Sequence, residues 1–226
     1  EVVYRAHCER AALVVAMTSW GRNDLVRQYG LPEQKVAVVP GGSVLSEYPS
    51  PSSADLGGLR SRLGLADEFL LYPAQTWPHK NHLHLLGAVQ ILLRQCHWNG
   101  ILVFCGADKG NLNYLKKRAT EFGIADRVQF LGFVKQSELI ALYGHAVALT
   151  FVSYFGPDNL PPLEAFALGC PVIASAIEGA EEQLGSAALR VNPDRASEMA
   201  DAVLRLKNEP GLRETLINAG KNRAAE

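Results

Sequence analysis

The chain has 226 residues, 48% of them hydrophobic and 20% charged, with a formal net charge of -1, the profile of an ordinary globular protein without a disordered tract. No Lys/Arg block is longer than Lys116–Arg118 and no apolar run reaches the ~18 residues that span a bilayer, which excludes an electrostatic footprint for duplex nucleic acid and a membrane-crossing helix. Cys8, Cys96, Cys105 and Cys170 form no CxxC pair, which argues against structural zinc and fits a reducing cytoplasm.

No secretory leader is visible, and a chain that opens at Glu1 and closes in helical sequence at Glu226 reads as a piece of a longer protein. Residues 1–12 read as a helix, and Leu13–Met17 as a short buried strand. Thr18 or Ser19 can cap a second helix through Tyr29, with Leu25, Val26 and Tyr29 on one face and Gly30 as its stop. Val36–Val39 is another β-rich run, ended by Pro40, Gly41 and Gly42. Residues 1–44 therefore read as the last α/β units of a preceding domain. Residues 45–60 contain YPSPSSADLGG, whose Pro, Ser and Gly content marks a linker or long surface loop.

From residue 61 to 226 the pattern is regular. Apolar runs at Phe69–Tyr72, Ile101–Cys105, Val128–Leu131, Ala146–Phe151, Val172–Ala174 and Leu189–Val191 alternate with helical segments. Leu86, Val89 and Leu93 mark the stripe of one helix, and Met199, Val203 and Leu206 that of another. Short, non-alternating runs separated by helices predict an α/β fold, a Rossmann-like doubly wound parallel sheet covered on both faces.

In such sheets ligands sit at the carboxyl ends of the strands, and two loops there carry chemistry. The first, YPAQTWPHKNHLHLL, places Lys80 and Asn81 at the opening of a helix. A lysine there opposes the helix dipole unless an anion binds, when lysine, dipole and free amides all face the phosphate. A solvated lysine beside an aromatic loop is the alternative. His79, His82, His84 and His97 have no carboxylate or cysteine at a metal-binding offset, so metal is disfavoured and His79 reads as a loop hydrogen bonder.

In the second loop Pro157, Pro161 and Pro162 lack amide protons and stiffen the backbone, leaving Gly156, Asn159 and Leu160 to offer free N–H groups. Glu164 follows in what the spacing predicts to be the first helical turn, as a ligand contact or as a cap. Gly132 and Phe133 follow the third strand, and Phe133 reads equally as a core aromatic. Asp108, after the second strand, reads as cleft residue or helix cap.

GPDNLPPLEAFALGCPVIAS and YPAQTWPHKNH together resemble the donor site of family 4 retaining glycosyltransferases, which have the GT-B fold, and within it bacterial polysaccharide-type mannosyltransferases carrying G-P-x-N-L/I-P-P-L-E-A. The resemblance covers almost the whole chain and implies the donor-binding domain preceded by the end of the acceptor domain. It implies that Glu164 binds the ribose hydroxyls of a nucleotide sugar, that Lys80, with Asn81 beside it, holds the pyrophosphate, and that amides of Gly156, Asn159 and Leu160 contact phosphate and sugar. Gly132 and Phe133 would meet the base, and Pro40, Gly41 and Gly42 would form the turn before the hinge. The implied activity is transfer of a hexose, with retention, from GDP-mannose or a UDP-sugar to a glycan or lipid-linked acceptor, with no metal and no separate cofactor. The implied place is the cytoplasm, with peripheral contact to the inner membrane face left to the missing domain. Two departures stand out. Gly156 lies where many members have the first of two glutamates, and Ala74 and Gln75 replace a usual Gly-Arg pair. They leave room for a non-catalytic nucleotide- or sugar-binding module.

Overall fold

The structure, a computed structural model, describes residues 2–40, 53–156 and 159–226. Gly41, Gly42, the first part of the expected linker, Pro157 and Asp158 lie outside the described residues. Helix α1 (Val2–Arg10) leads into strand β1 (Val14–Ala16), helix α2 (Ser19–Tyr29) and strand β2 (Val36–Val38). The strands pair in parallel with Val14 opposite Val36, forming a small sheet over a core of Ala16, Leu31 and Val36. Thr18 Oγ1 accepts the Gly21 N–H at the start of α2, and Gly30 closes the helix at φ 65°.

The second half of the expected linker is instead helix α3 (Ser53–Leu63). Leu59 is buried and Leu63 packs beside it against the main core, so a one-turn apolar spacing secures a helix that Gly57 and Gly58 disfavour. The Ser- and Gly-rich composition concealed this because tertiary packing, not propensity, holds the segment.

The main sheet has six parallel strands in the order β5-β4-β3-β6-β7-β8. They are β3 (Phe69–Pro73), β4 (Ile101–Cys105), β5 (Val128–Phe130), β6 (Ala148–Phe151), β7 (Val172–Ser175) and β8 (Ala188–Val191). Between them run α4 (His82–Gln95), α5 (Leu112–Glu121), α6 (Gln136–His145), α7 (Leu160–Ala167) and the short α8 (Ala180–Leu184), with α9 (Ala196–Asn208) and α10 (Leu212–Ala225) completing the chain. Phe69, Leu70, Leu71 and Tyr72 are all buried, as a strand covered on both faces requires. Helix α4 packs on α9 and α7 on α10. In the second pair Gly220 lets the Phe166 ring approach so closely that a Cβ would lie 2.7 Å from it.

Because β4 and β5 lie on one side of β3 while β6, β7 and β8 continue on the other, the winding reverses between β3 and β6. The loops leaving the carboxyl ends of those two neighbours are the ones that carry Lys80 and Asn159, so the topology brings both candidate loops to the crevice where ligands of such sheets bind.

Candidate functional site

After β3 the chain makes a single 3-10 turn, Pro78–Lys80, before α4 begins at His82. Lys80 therefore precedes the helix rather than opening it. The Tyr72 hydroxyl donates to the Lys80 carbonyl (2.5 Å), and the His79 carbonyl accepts the Tyr154 N–H (2.9 Å) and the Ser153 hydroxyl (3.2 Å), stitching this loop to the one after β6. The Lys80 ammonium donates to Asn159 Oδ1 (3.3 Å), lies 4.9 Å from the centre of the Phe151 ring and forms no ion pair among the described residues. Partial burial lowers its pKa from the ordinary lysine value. A half-desolvated ammonium with only a neutral acceptor among the described residues is a group that an anion would stabilise.

Asn81 does not share that role. It is 2% exposed and adopts a left-handed conformation (φ 59°), and its Nδ2 donates to the carbonyls of Val152 (3.0 Å) and Pro193 (2.7 Å) while Oδ1 meets His84 Nδ1 (2.8 Å). The expectation that Asn81 binds a ligand is corrected: its amide is consumed in tying together the loops after β3, β6 and β8. The His79 ring stacks against Phe155 (4.8 Å) and Trp77 (6.4 Å), so the hydrogen bonding expected of its side chain falls to its carbonyl. His82 is buried against Tyr72 and Phe104 (4.9 Å each), and burial drops its pKa to about 4.

In the second loop Gly156 has φ 91°, and the Asn159 side chain bonds back to the Gly156 carbonyl. The Asn159 N–H is not free as expected: it donates to Gln183 Oε1 (3.1 Å) on α8. What Asn159 offers instead is the side-chain oxygen that meets Lys80. Leu160 is the first residue of α7, where an N–H has no partner within the helix, and Pro161 and Pro162 behind it have none to give. Glu164 is the fifth residue of that helix and so lies in its second turn, beyond the reach of a cap; the expected first-turn position is corrected because the helix starts earlier, at Leu160. Its Oε2 accepts the hydroxyl of Tyr143 on α6 (2.8 Å).

A cavity of about 220 Å³ opens at the start of the first loop, lined by Pro73, Ala74, Gln75, Cys105, Gly106 and Phe133 among others, at the carboxyl ends of β3, β4 and the turn after β5. Phe133 is 88% exposed, which removes its reading as a core aromatic. Gly132 turns the chain at φ 66° and its carbonyl accepts the Gly106 N–H (2.7 Å). Asp108 is the helix cap: its Oδ1 accepts the N–H groups of Gly110 (2.9 Å), Asn111 (3.1 Å) and Leu112 (3.1 Å) and the Thr76 hydroxyl (2.8 Å). The Thr76 bond first, then the amides, hold its pKa below the usual aspartate value. Sequence reasoning missed Tyr143 and Gln183, each an unremarkable helical residue until folding sets it against the second loop.

The profile of the family described as Glycosyl transferases group 1 matches residues 60–223. The O-antigen chain mannosyltransferase RfbU of Salmonella typhimurium is 25% identical over 205 residues, which cover 89% of this chain and 53% of that protein. A D-inositol 3-phosphate glycosyltransferase of Actinosynnema mirum is 31% identical over 214 residues, 90% of this chain and 51% of its own. The fold is similar to that of Anabaena Alr3699/HepE, solved in complex with UDP and glucose, with a TM-score of 0.86 at 23% identity over 99% of this chain and 61% of that one. The chain thus spans about half the length of the curated relatives it matches. With the profile running through nearly all of the six-stranded domain, and a 31%-identical relative along 90% of the chain, this protein belongs to the group 1 glycosyl transferases.

Proposed function

We propose that this chain carries the donor half of a retaining hexosyltransferase of family 4, which binds a nucleoside diphosphate sugar and passes its sugar to a glycan or lipid-linked acceptor held mainly by the rest of the protein. The observation that carries this is Lys80, a half-buried ammonium with no described carboxylate partner, set at the point where the winding of the sheet reverses. In this reading Lys80 stabilises the charge that builds on the β-phosphate as the glycosidic bond breaks, helped by the first amide of α7. Glu164 accepts the ribose hydroxyls, which positions the donor without moving a proton. The cavity beside Phe133 takes the base.

Support for a nucleotide sugar comes from Anabaena Alr3699/HepE, solved with UDP-glucose, and support for mannose from the O-antigen mannosyltransferases among the relatives. GDP-mannose is the donor we favour, with a UDP-sugar second. The reaction as read here needs no metal, and the setting is the cytoplasm, at the membrane face where a lipid-linked acceptor would be found.

The second reading, a nucleotide- or sugar-binding module without chemistry, is favoured by Gly156 and Gln75, which supply no charge where the usual motif of the family that the two loops resemble has Glu and Arg. Calorimetry of GDP and UDP with this chain tests the site. Saturable binding of one nucleotide, weakened by ~1–3 kcal/mol in both Lys80→Ala and Glu164→Ala, is expected for lost charge-assisted hydrogen bonds. Binding indifferent to both substitutions would refute the site. Sugar transfer by the full-length protein then separates enzyme from module, and the chain by itself is expected to bind nucleotide but to turn over poorly.

A further inference from the structure

Glu164 sits too far along α7 to be held by the helix amino-terminus, so something else must fix its carboxylate. One group that does so is the hydroxyl of Tyr143, which donates to Glu164 Oε2 at 2.8 Å. Tyr143 is 1% exposed, and its phenol has one polar atom, so an unpaired hydroxyl there would carry the full penalty of burial. Desolvation first, then the Glu164 charge, pushes the phenol pKa well above its ordinary value, which keeps it a hydrogen-bond donor throughout the working pH range. The two residues come from different helices, α6 before β6 and α7 after it, so the contact also fixes α7 against the element behind it. A carboxylate accepts through two oxygens with about four lone-pair directions, so engagement of Oε2 by Tyr143 sets the plane in which the remaining directions point.

We infer that Tyr143 is a positioning residue that orients the Glu164 carboxylate for the ribose diol of the donor nucleotide. The inference rests on the reading of Glu164 proposed above and goes beyond it by naming the residue that aims it.

The test is calorimetry of the nucleotide that binds, GDP or UDP, against its 2′,3′-dideoxy counterpart. The wild-type chain is expected to prefer the ribonucleotide by about tenfold or more, as for two hydrogen bonds to a charged acceptor. Y143F, which removes one oxygen and keeps the ring that fills the core, is expected to cut that preference to about threefold or less, with affinity for the dideoxynucleotide and the melting temperature close to wild type. E164Q is expected to lose the preference as well. If E164Q loses it and Y143F keeps it, or if Y143F weakens both nucleotides equally, Tyr143 is only a packing residue and the inference falls alone. If the wild type shows no ribose preference, or E164Q retains it, the ribose reading of Glu164 falls and takes the inference with it.

Discussion

His82 shows how one buried side chain ties the site loop to pH. Its ring lies between Tyr72 and Phe104 at the first position of α4, two residues from Lys80, and burial holds its pKa at about 4 instead of 6.5. A folded-state pKa below the unfolded one means that the unfolded chain takes up a proton first as pH falls. Stability is therefore complete above about pH 6.5 and is lost progressively down to about 4, by at most roughly 3 kcal/mol for that shift. Chemical denaturation at pH 7.5 and 4.5 is expected to show this loss, and His82→Leu is expected to remove most of it; equal pH slopes in the two proteins would rule out His82 as the cause. Asn81, its neighbour, has the opposite character: a buried polar group whose amide hydrogens are satisfied by the Val152 and Pro193 carbonyls, so it adds order to the site and carries no switch.

Among the elements, the turn after β4 leaves no room for a side chain. Gly106 has φ 142°, and a Cβ there would lie 2.5 Å from the Ala74 carbonyl oxygen, on the wall of the cavity that Phe133 borders. Neither the strain nor the clash can be relieved without moving the Ala74–Gln75 backbone, which begins the loop leading to Lys80. Gly106→Ala is expected to lower stability by about 1–3 kcal/mol, a melting shift of roughly 3–10 °C, and to weaken nucleotide binding in the same protein. A variant with wild-type affinity would show that the turn and the site are independent. Helix α8 is a second tight element, only five residues long, in which Gln183 reaches the second loop through Asn159 while its neighbour Glu182 points the other way.

For the whole molecule, that neighbour is a polar link between the helices beside the two sheets. Glu182 accepts the N–H groups of Ser19 (2.6 Å) and Trp20 (2.8 Å), donors that α2 cannot satisfy by itself. Burial works against its charge, but these amides outweigh it and leave its pKa below the usual glutamate value. Arg223, near the end of α10, braces the same place by donating to the Gln183 carbonyl (3.0 Å) and to that of Glu182. A cavity of about 200 Å³ between Thr18, Val38, Leu163 and Gln183 lies alongside. Hydrogen exchange of Ser19 and Trp20 is expected to speed up about tenfold or more in Glu182→Ala while the β3 and β6 amides keep their protection. Unchanged protection at Ser19 would show that the first unit docks by apolar contact alone.

By itself, the sequence determined the parallel six-stranded domain, because runs such as Phe69–Tyr72 are buried on both faces and have to read as unbroken apolar segments. It also marked out the two candidate loops, since lysine beside Pro-His and the Gly-Pro-Asp-Asn-Leu-Pro-Pro string stand out by residue type alone. The α3 helix escaped it, as a short stripe of Leu59 and Leu63 gains its stability only against the core. Tertiary structure alone decided the partners of the candidate site residues: Asn81 buried as a tie, the Asn159 amide spent on Gln183, and Glu164 bonded by Tyr143 from another helix. Those partners lie far apart in the chain, 71, 24 and 21 residues respectively, and no local pattern specifies a hydrogen bond that the winding of the sheet must first bring together.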